Sequence, residues 1–190
     1  MISAVLGLGN IGSKYAGTRH NVGFMVIEKL LTQYKPLKLE REAEYDRAEI
    51  TVAGSSIIVA EPTNYMNNSG YAANALLQDY ALTPSELLVL VDDFNLPLGG
   101  IRIRRGGTGG GHNGLESIIE QLETDQFPRI RLGIGQVPES ESVVDFVLGA
   151  FERDDEEVVN EMISSASDAV ISVINDGIEQ AMMKYNRNPA

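Results

Sequence analysis

The 190-residue chain contains no cysteine. Disulfides, thiolate metal sites and a cysteine nucleophile are thereby excluded together. Histidine is scarce as well, with only His20 and His112, too few for a histidine-rich metal cluster. No apolar run approaches the ~20 residues needed to span a bilayer, and Met1 leads into a strand pattern without a basic leader. A cytoplasmic protein with no membrane partner is expected. Positive charge is also short: fifteen Lys and Arg face 27 Asp and Glu, for a net charge of −12. Such a total ordinarily argues against a nucleic-acid partner.

That average hides a segregation. Residues 139 to 161 carry nine acids and one base, Arg153. The run "ERDDEE" there suits a solvated helix start, where acids complement the positive end of the helix dipole. Five of the bases, Arg102, Arg104, Arg105, Arg129 and Arg131, fall in two short strand-like segments. In "IRIR" (101 to 104) and "RIRL" (129 to 132) the arginines alternate with apolar residues. Arg102 with Arg104, and Arg129 with Arg131, therefore share a face, and two such strands can build one basic stripe.

Apolar patterning predicts strands near 2 to 8, 46 to 53, 56 to 61, 87 to 92, 100 to 105 and 129 to 135, with a further short one near 143 to 148. Helical stripes begin at Val22 and recur at Ala72 to Tyr80, Leu115 to Leu122 and Val159 to Val173. "LLVLV" at 87 to 91 is apolar on both faces, as a central strand covered on both sides should be. "RAEITVAGSSIIVAEP" reads as a hairpin turning at Gly54-Ser55. Residues 1 to 190 are thus expected to form a single α/β domain, a twisted mixed β-sheet with helices on both faces.

Gly7-x-Gly9-x-x-Gly12 follows the first strand with the spacing of a dinucleotide-binding turn. That reading requires a helix to open at the third glycine, so that its N-terminal N–H groups meet the pyrophosphate. Here helical spacing starts only at Val22, after a loop ending Arg19-His20-Asn21. A loop of that length suits the presentation of side chains instead. Three further polar loops stand beside it: "EPTNYMNNSG" (61 to 70), "VDDFNLPLGG" (91 to 100) and "RRGGTGGGHNGL" (104 to 115). In open α/β sheets, function gathers at the carboxyl ends of strands, where three of the four loops lie.

Each loop has a plain structural use. One of Asn67, Asn68 and Ser69 suits a helix N-cap, and Asn113 with Glu116 has capping-box spacing. Two adjacent amides nevertheless exceed what capping needs, and an amide can both donate to and accept from a peptide-like substrate. His20 closes a glycine-punctuated loop near Asn10, Tyr15 and Asn21, while Asp92-Asp93 ends another apolar strand. A histidine oriented by a carboxylate is the minimum apparatus for activating water as a general base. Adjacent strand residues point to opposite faces, so only one of the two aspartates can serve. No Gly-x-Ser-x-Gly elbow offers a serine nucleophile.

The segments "GLGNIGSKYAGTRHNVGF", "EPTNYMNNSG", "VDDFNLPLGGIRIRRGGTGGGHNGLESI" and "FPRIRLGIGQV" resemble, in order, the signature segments of bacterial peptidyl-tRNA hydrolases, over about residues 1 to 150. The resemblance implies the three-layer fold of that family. It also implies hydrolysis of the ester between a peptide and the 3' ribose of tRNA by a cytoplasmic monomer that needs neither cofactor nor metal. It assigns His20 as base, Asp92 as its orienting carboxylate and Asn10 as the neighbouring amide. Asn67, Asn113, Tyr15, Met66 and His112 fall in the substrate cleft, and Arg104 and Arg131 match residues that grip a tRNA phosphate. Two positions depart: Ile11 stands where the family usually has proline, and Glu61 where it usually has lysine, which is expected to remove a charge near the cleft. A catalytically idle RNA-binding relative of the same fold, and a different esterase or amidase acting on small acylated substrates, are the alternatives. The arginine stripe separates the latter, because a small neutral ester has no use for it.

Overall fold

In a computed structural model, which describes residues 1–186, the apolar runs pair into one mixed sheet. Its strands are β1 (Ala4–Gly7), β2 (Leu39–Arg41), β3 (Tyr45–Val52), β4 (Ser55–Pro62), β5 (Leu87–Asp93), β6 (Ile101–Arg104) and β7 (Arg129–Gly133). They lie in the order β2-β3-β4-β1-β5-β7-β6. The central run β4-β1-β5-β7 is parallel, and β2, β3 and β6 join antiparallel. Six helices connect them among the described residues: α1 (Val22–Tyr34), α2 (Ser69–Asp79), α3 (Asn113–Leu122), α4 (Val143–Leu148), α5 (Glu156–Asp176) and α6 (Ile178–Tyr185).

The period of two along each strand divides the core between the two faces. Val5, Val59, Leu88, Leu90, Ile130 and Leu132 meet Val22, Val26 and Leu30 of α1 and the Met162–Val173 stripe of α5. Leu6, Ala60, Val89 and Val91 meet Ala72, Ala73 and Leu76 of α2 and Leu115 and Ile118 of α3. β5 is buried at all seven positions, as its uniform apolarity requires. Burial of this kind is worth about 1.5–3 kcal/mol for each large aliphatic side chain.

The glycines after β1 serve packing. A Cβ on Gly7 would lie 2.6 Å from the Gly23 carbonyl oxygen, and one on Gly23 would lie 2.7 Å from that of Leu90. This close approach seats the start of α1 against the ends of β1 and β5. No helix opens at Gly12. A 3-10 turn (Ser13–Tyr15) follows it, so the dinucleotide geometry is absent.

Several expectations need correction. Residues 143 to 148 form α4 rather than a strand, because Ser142 Oγ accepts the Asp145 N–H and this cap outweighs the β-preference of the valines. The hairpin turns one residue early, at Ala53 and Gly54, both with positive φ and flanked by the pair Val52↔Ser55. β2 was invisible in the sequence, since three residues reading Leu-Glu-Arg carry too little pattern.

β1 lies between β4 and β5. The chain runs from β1 through α1 to one side of the sheet, and after α2 it crosses to the other. A crevice outside the carboxyl ends of the strands at such a switch point is the standard place for a ligand.

Candidate active site

The carboxyl ends of β1, β4 and β5 bring three of the four loops together, and the fourth arrives at the start of α3. His20 sits in a 3-10 turn (Arg19–Asn21) immediately before α1 and is buried. The turn is anchored from α4, where Arg19 N–H donates to the Gly149 carbonyl (2.9 Å) and Arg19 Nη1 to that of Phe146 (3.2 Å). The Arg19 guanidinium also covers the Phe146 ring, 4.4 Å from its centroid.

Asp92, 2% exposed at the end of β5, uses one oxygen for two imidazoles. Its Oδ1 lies 2.9 Å from His20 Nδ1 and 2.9 Å from His112 Nε2. For His112 the proton position follows from its neighbour. His112 is the N-cap of α3, and its Nδ1 accepts the Leu115 N–H at 3.2 Å. Nε2 therefore carries the hydrogen and donates to Asp92. His20 Nδ1 likewise donates to the carboxylate, which leaves the His20 Nε2 lone pair as the free base. Burial by itself would raise the Asp92 carboxyl, but the electrostatic attraction and hydrogen bonds of the two imidazole N–H groups, His112 foremost, outweigh it and hold the group well below the usual carboxylate range. Asp92 is thus an ionised carboxylate at neutral pH.

These three side chains also have the donor types of a metal site, with candidate ligand atoms within 4.8 Å of one another. The hydrogen on His112 Nε2 argues for a hydrogen-bonded relay, because Nδ1 already accepts the Leu115 N–H and a metal on Nε2 would require the ring to become an imidazolate.

The amides are set with equal definition. Asn10 N–H donates to Asn21 Oδ1 (2.8 Å), and Asn21 Nδ2 donates to the Asn10 carbonyl (2.9 Å). Asn10 Oδ1 accepts the Met66 N–H at 2.8 Å, which directs the Asn10 amide nitrogen away from that contact. Asn67 and Asn113 are both exposed. Neither serves as a cap: the cap of α3 is His112, and α2 starts without a side-chain cap bond. Tyr15 meets Tyr65 edge-on with centroids 6.4 Å apart. Met66 is 3% exposed and packs where a Cβ on Gly114 would approach its sulfur to 2.6 Å, so it floors the site from beneath.

The arginines part company. β6 and β7 pair in the register Arg102↔Arg131 and Arg104↔Arg129, so all four share one face. Arg129 is nevertheless buried at 1% exposure, and Arg131 Nε lies 2.9 Å from Asp93 Oδ2. Asp93 also accepts the Asn95 N–H at 2.9 Å. The two aspartates thus address different partners. Arg104 is exposed, diagonal to Arg131. The stripe is narrower than its sequence suggested. Glu61 lines a cavity of about 250 Å³ between α1 and β2–β4, with Ile27, Leu31 and Val59, where none of the expected site residues lies.

Sequence reading left out of the site Asn21, which clamps Asn10, and Asp93, which pairs with Arg131. Asn21 carried one signal, its place directly after a candidate base. Nothing in the sequence pairs Asp93 with a residue 38 positions away.

Comparison with known proteins decides what this geometry belongs to. The peptidyl-tRNA hydrolase family model matches residues 4–190. The chain belongs to the peptidyl-tRNA hydrolase family. It is 40% identical over 188 residues to the peptidyl-tRNA hydrolase of Sulfurihydrogenibium sp., covering 99% of each chain. Against that of Aquifex aeolicus it is 42% identical, covering 98% of this chain and 97% of the other. The crystal structure of the Acinetobacter baumannii peptidyl-tRNA hydrolase superposes with a TM-score of 0.91 at 32% identity, over 98% of this chain and 95% of that one. A nucleosidase from Campylobacter jejuni shares only the fold, with a TM-score of 0.52 at 12% identity.

Proposed function

We propose that the protein hydrolyses the ester joining a peptide, or an N-blocked aminoacyl group, to the 3' ribose of tRNA, and so returns tRNA from stalled translation. The observation that supports the mechanism is the single Asp92 oxygen bonded to both imidazoles, with His20 engaged through Nδ1 so that Nε2 of the neutral ring carries the lone pair. His20 removes a proton from water as the water oxygen attacks the ester carbonyl, and Asp92 stabilises the resulting imidazolium. The proton then passes to the departing ribose oxygen. The Asn10 amide nitrogen donates to the attacking water or to the oxyanion. Asn67 and Asn113, exposed on opposite loops, hold the peptide and ester region, with Tyr15 at the rim and Met66 beneath. His112 holds Asp92 in place from the other side. Arg104 and Arg131 grip a phosphate near the acceptor end, which reconciles a net charge of −12 with an RNA substrate. We place the reaction in the cytoplasm, with one chain as the working unit.

Substrate class is tested with the Arg104→Ala/Arg131→Ala double variant. Each phosphate contact to an end region contributes about 0.7 to the slope of log K against log salt. The double variant should bind full-length tRNA less tightly and with a flatter salt dependence, yet act normally on a peptide esterified to a short 3' fragment lacking that phosphate. Unaltered affinity and slope would mean that the RNA is held elsewhere. Equal turnover of a small free ester would favour a general esterase.

A further inference from the structure

Arg129 is the least expected residue in the core. It is the largest fully buried side chain, at 1% exposure, and among the described residues no carboxylate forms a salt bridge with it. A buried guanidinium without a counter-ion is costly, so its neighbours must explain it. They are main-chain carbonyls. Nη1 donates to Gly107 O (2.6 Å) and Thr108 O (3.4 Å), Nη2 to Asp125 O (2.8 Å) and Phe127 O (3.2 Å), and Nε to Phe127 O (3.3 Å). The planar head lies 4.1 Å from the centroid of the Phe127 ring. Burial, with the nearby Arg131 charge, pushes the group down to about 10, so it remains a cation at neutral pH.

The fork joins two segments far apart in sequence. One is the glycine loop after β6, the other the entry to β7. The loop has good reason to need fastening: Gly107, Gly110 and Gly111 all have positive φ, and glycine backbone is the most costly to hold in one conformation. Its main-chain tie to the β7 entry is Gly107 N–H to Asp125 O at 3.0 Å, alongside the Arg129 bonds. The loop begins beside Arg104, passes over Arg131, whose Nη2 would lie 3.4 Å from a Cβ on Gly110, and ends at the His112 cap.

We infer that Arg129 is a positioning residue for substrate grip: it fastens the glycine loop to the sheet so that Arg104 and Arg131 keep the spacing that full-length tRNA requires. This rests on the reading of Arg104 and Arg131 as the phosphate grip. Lysine cannot replace it, because one ammonium cannot reach Gly107 and Asp125 together with the geometry of a planar fork.

The test compares parent, Arg129→Lys, Arg129→Met and Arg104→Ala/Arg131→Ala, each at a temperature where circular dichroism shows it fully folded. Arg129→Met should raise KM for full-length N-acetylaminoacyl-tRNA by about tenfold or more while kcat changes by less than about threefold, since the lost interaction acts on binding. Arg129→Lys should fall between it and the parent. Both should retain kcat/KM on the short 3' fragment substrate. A residue serving stability alone would lower the melting temperature and leave KM at the parental value, which overturns the inference. If the double variant raises KM and neither Arg129 variant does, this inference fails while the grip reading stands. If the double variant leaves KM unchanged, both fail. Should Arg129→Met not fold, Arg129→Lys decides: a raised KM supports the assignment, and a parental KM overturns it.

Discussion

Replacing Asp92 by asparagine keeps shape and removes charge at the point where two imidazoles converge. His20 Nδ1 and His112 Nε2 each lie 2.9 Å from Asp92 Oδ1. When His20 takes a proton from water, imidazolium and carboxylate become a charge pair about 4 Å apart between centres. At an effective dielectric constant near 20, that attraction is about 4 kcal/mol. With about 1.4 kcal/mol per factor of ten, its loss slows the chemical step ~10³-fold. The amide adds a second penalty if its NH₂ turns toward His20, because Nδ1 must then accept and the ring proton moves to Nε2, where the base is needed. The corresponding asparagine in a serine protease triad costs about 10⁴-fold. A loss of ~10³-fold to 10⁴-fold in single-turnover rate on N-acetylaminoacyl-tRNA is therefore expected, with tRNA affinity nearly unchanged. Asp93→Asn should instead disturb the Arg131 pair and act mainly on KM. A rate for Asp92→Asn within about tenfold of the parent, or a larger rate loss at Asp93, would refute the reasoning.

His112→Ala removes one donor to Asp92 and the cap on Leu115 N–H; capping losses are typically ~1 kcal/mol, so thermal stability should fall measurably while the rate falls less than in His20→Ala. Equal rate losses at the two histidines would indicate that both transfer protons. Burial, with Glu28 and Asp46 nearby, pushes the Glu61 carboxyl up to about 8, well above its ordinary 4.5. The folded state then keeps a proton that the unfolded state has released, so the stabilisation is complete below pH ~4.5 and declines as pH rises toward 8, by up to about 1.4 kcal/mol per pH unit. Glu61→Gln should therefore gain stability relative to the parent as pH rises from 5 to 8 in denaturant titrations. A difference that stays constant with pH would contradict that environment.

Much of the fold was legible because its signals are local. The two-sided apolarity of Leu87–Val91 identified the central strand, and the stripe beginning at Val22 gave the start of α1 to the residue. Alternation in "DD" required the two aspartates to meet different partners, and they do: Asp92 meets His20 and Asp93 meets Arg131. What could not be read depends on long-range contact. His112 as partner to Asp92 depends on α3 docking beside β5, and the burial of Arg129 on the glycine loop folding back over it. Local competition accounts for the rest: at 143 to 148, one capping serine overruled a valine pair.

The central claim is that His20 activates water against the ester of peptidyl-tRNA. Its most direct test is to incubate the protein and its His20→Ala variant with N-acetylaminoacyl-tRNA and follow release of deacylated tRNA alongside tRNA affinity. The account predicts release by the parent, a loss of ~10²-fold to 10⁴-fold in the variant, and nearly equal affinity for both. No release by the parent above the spontaneous rate, or a variant within a few-fold of it, would contradict the account.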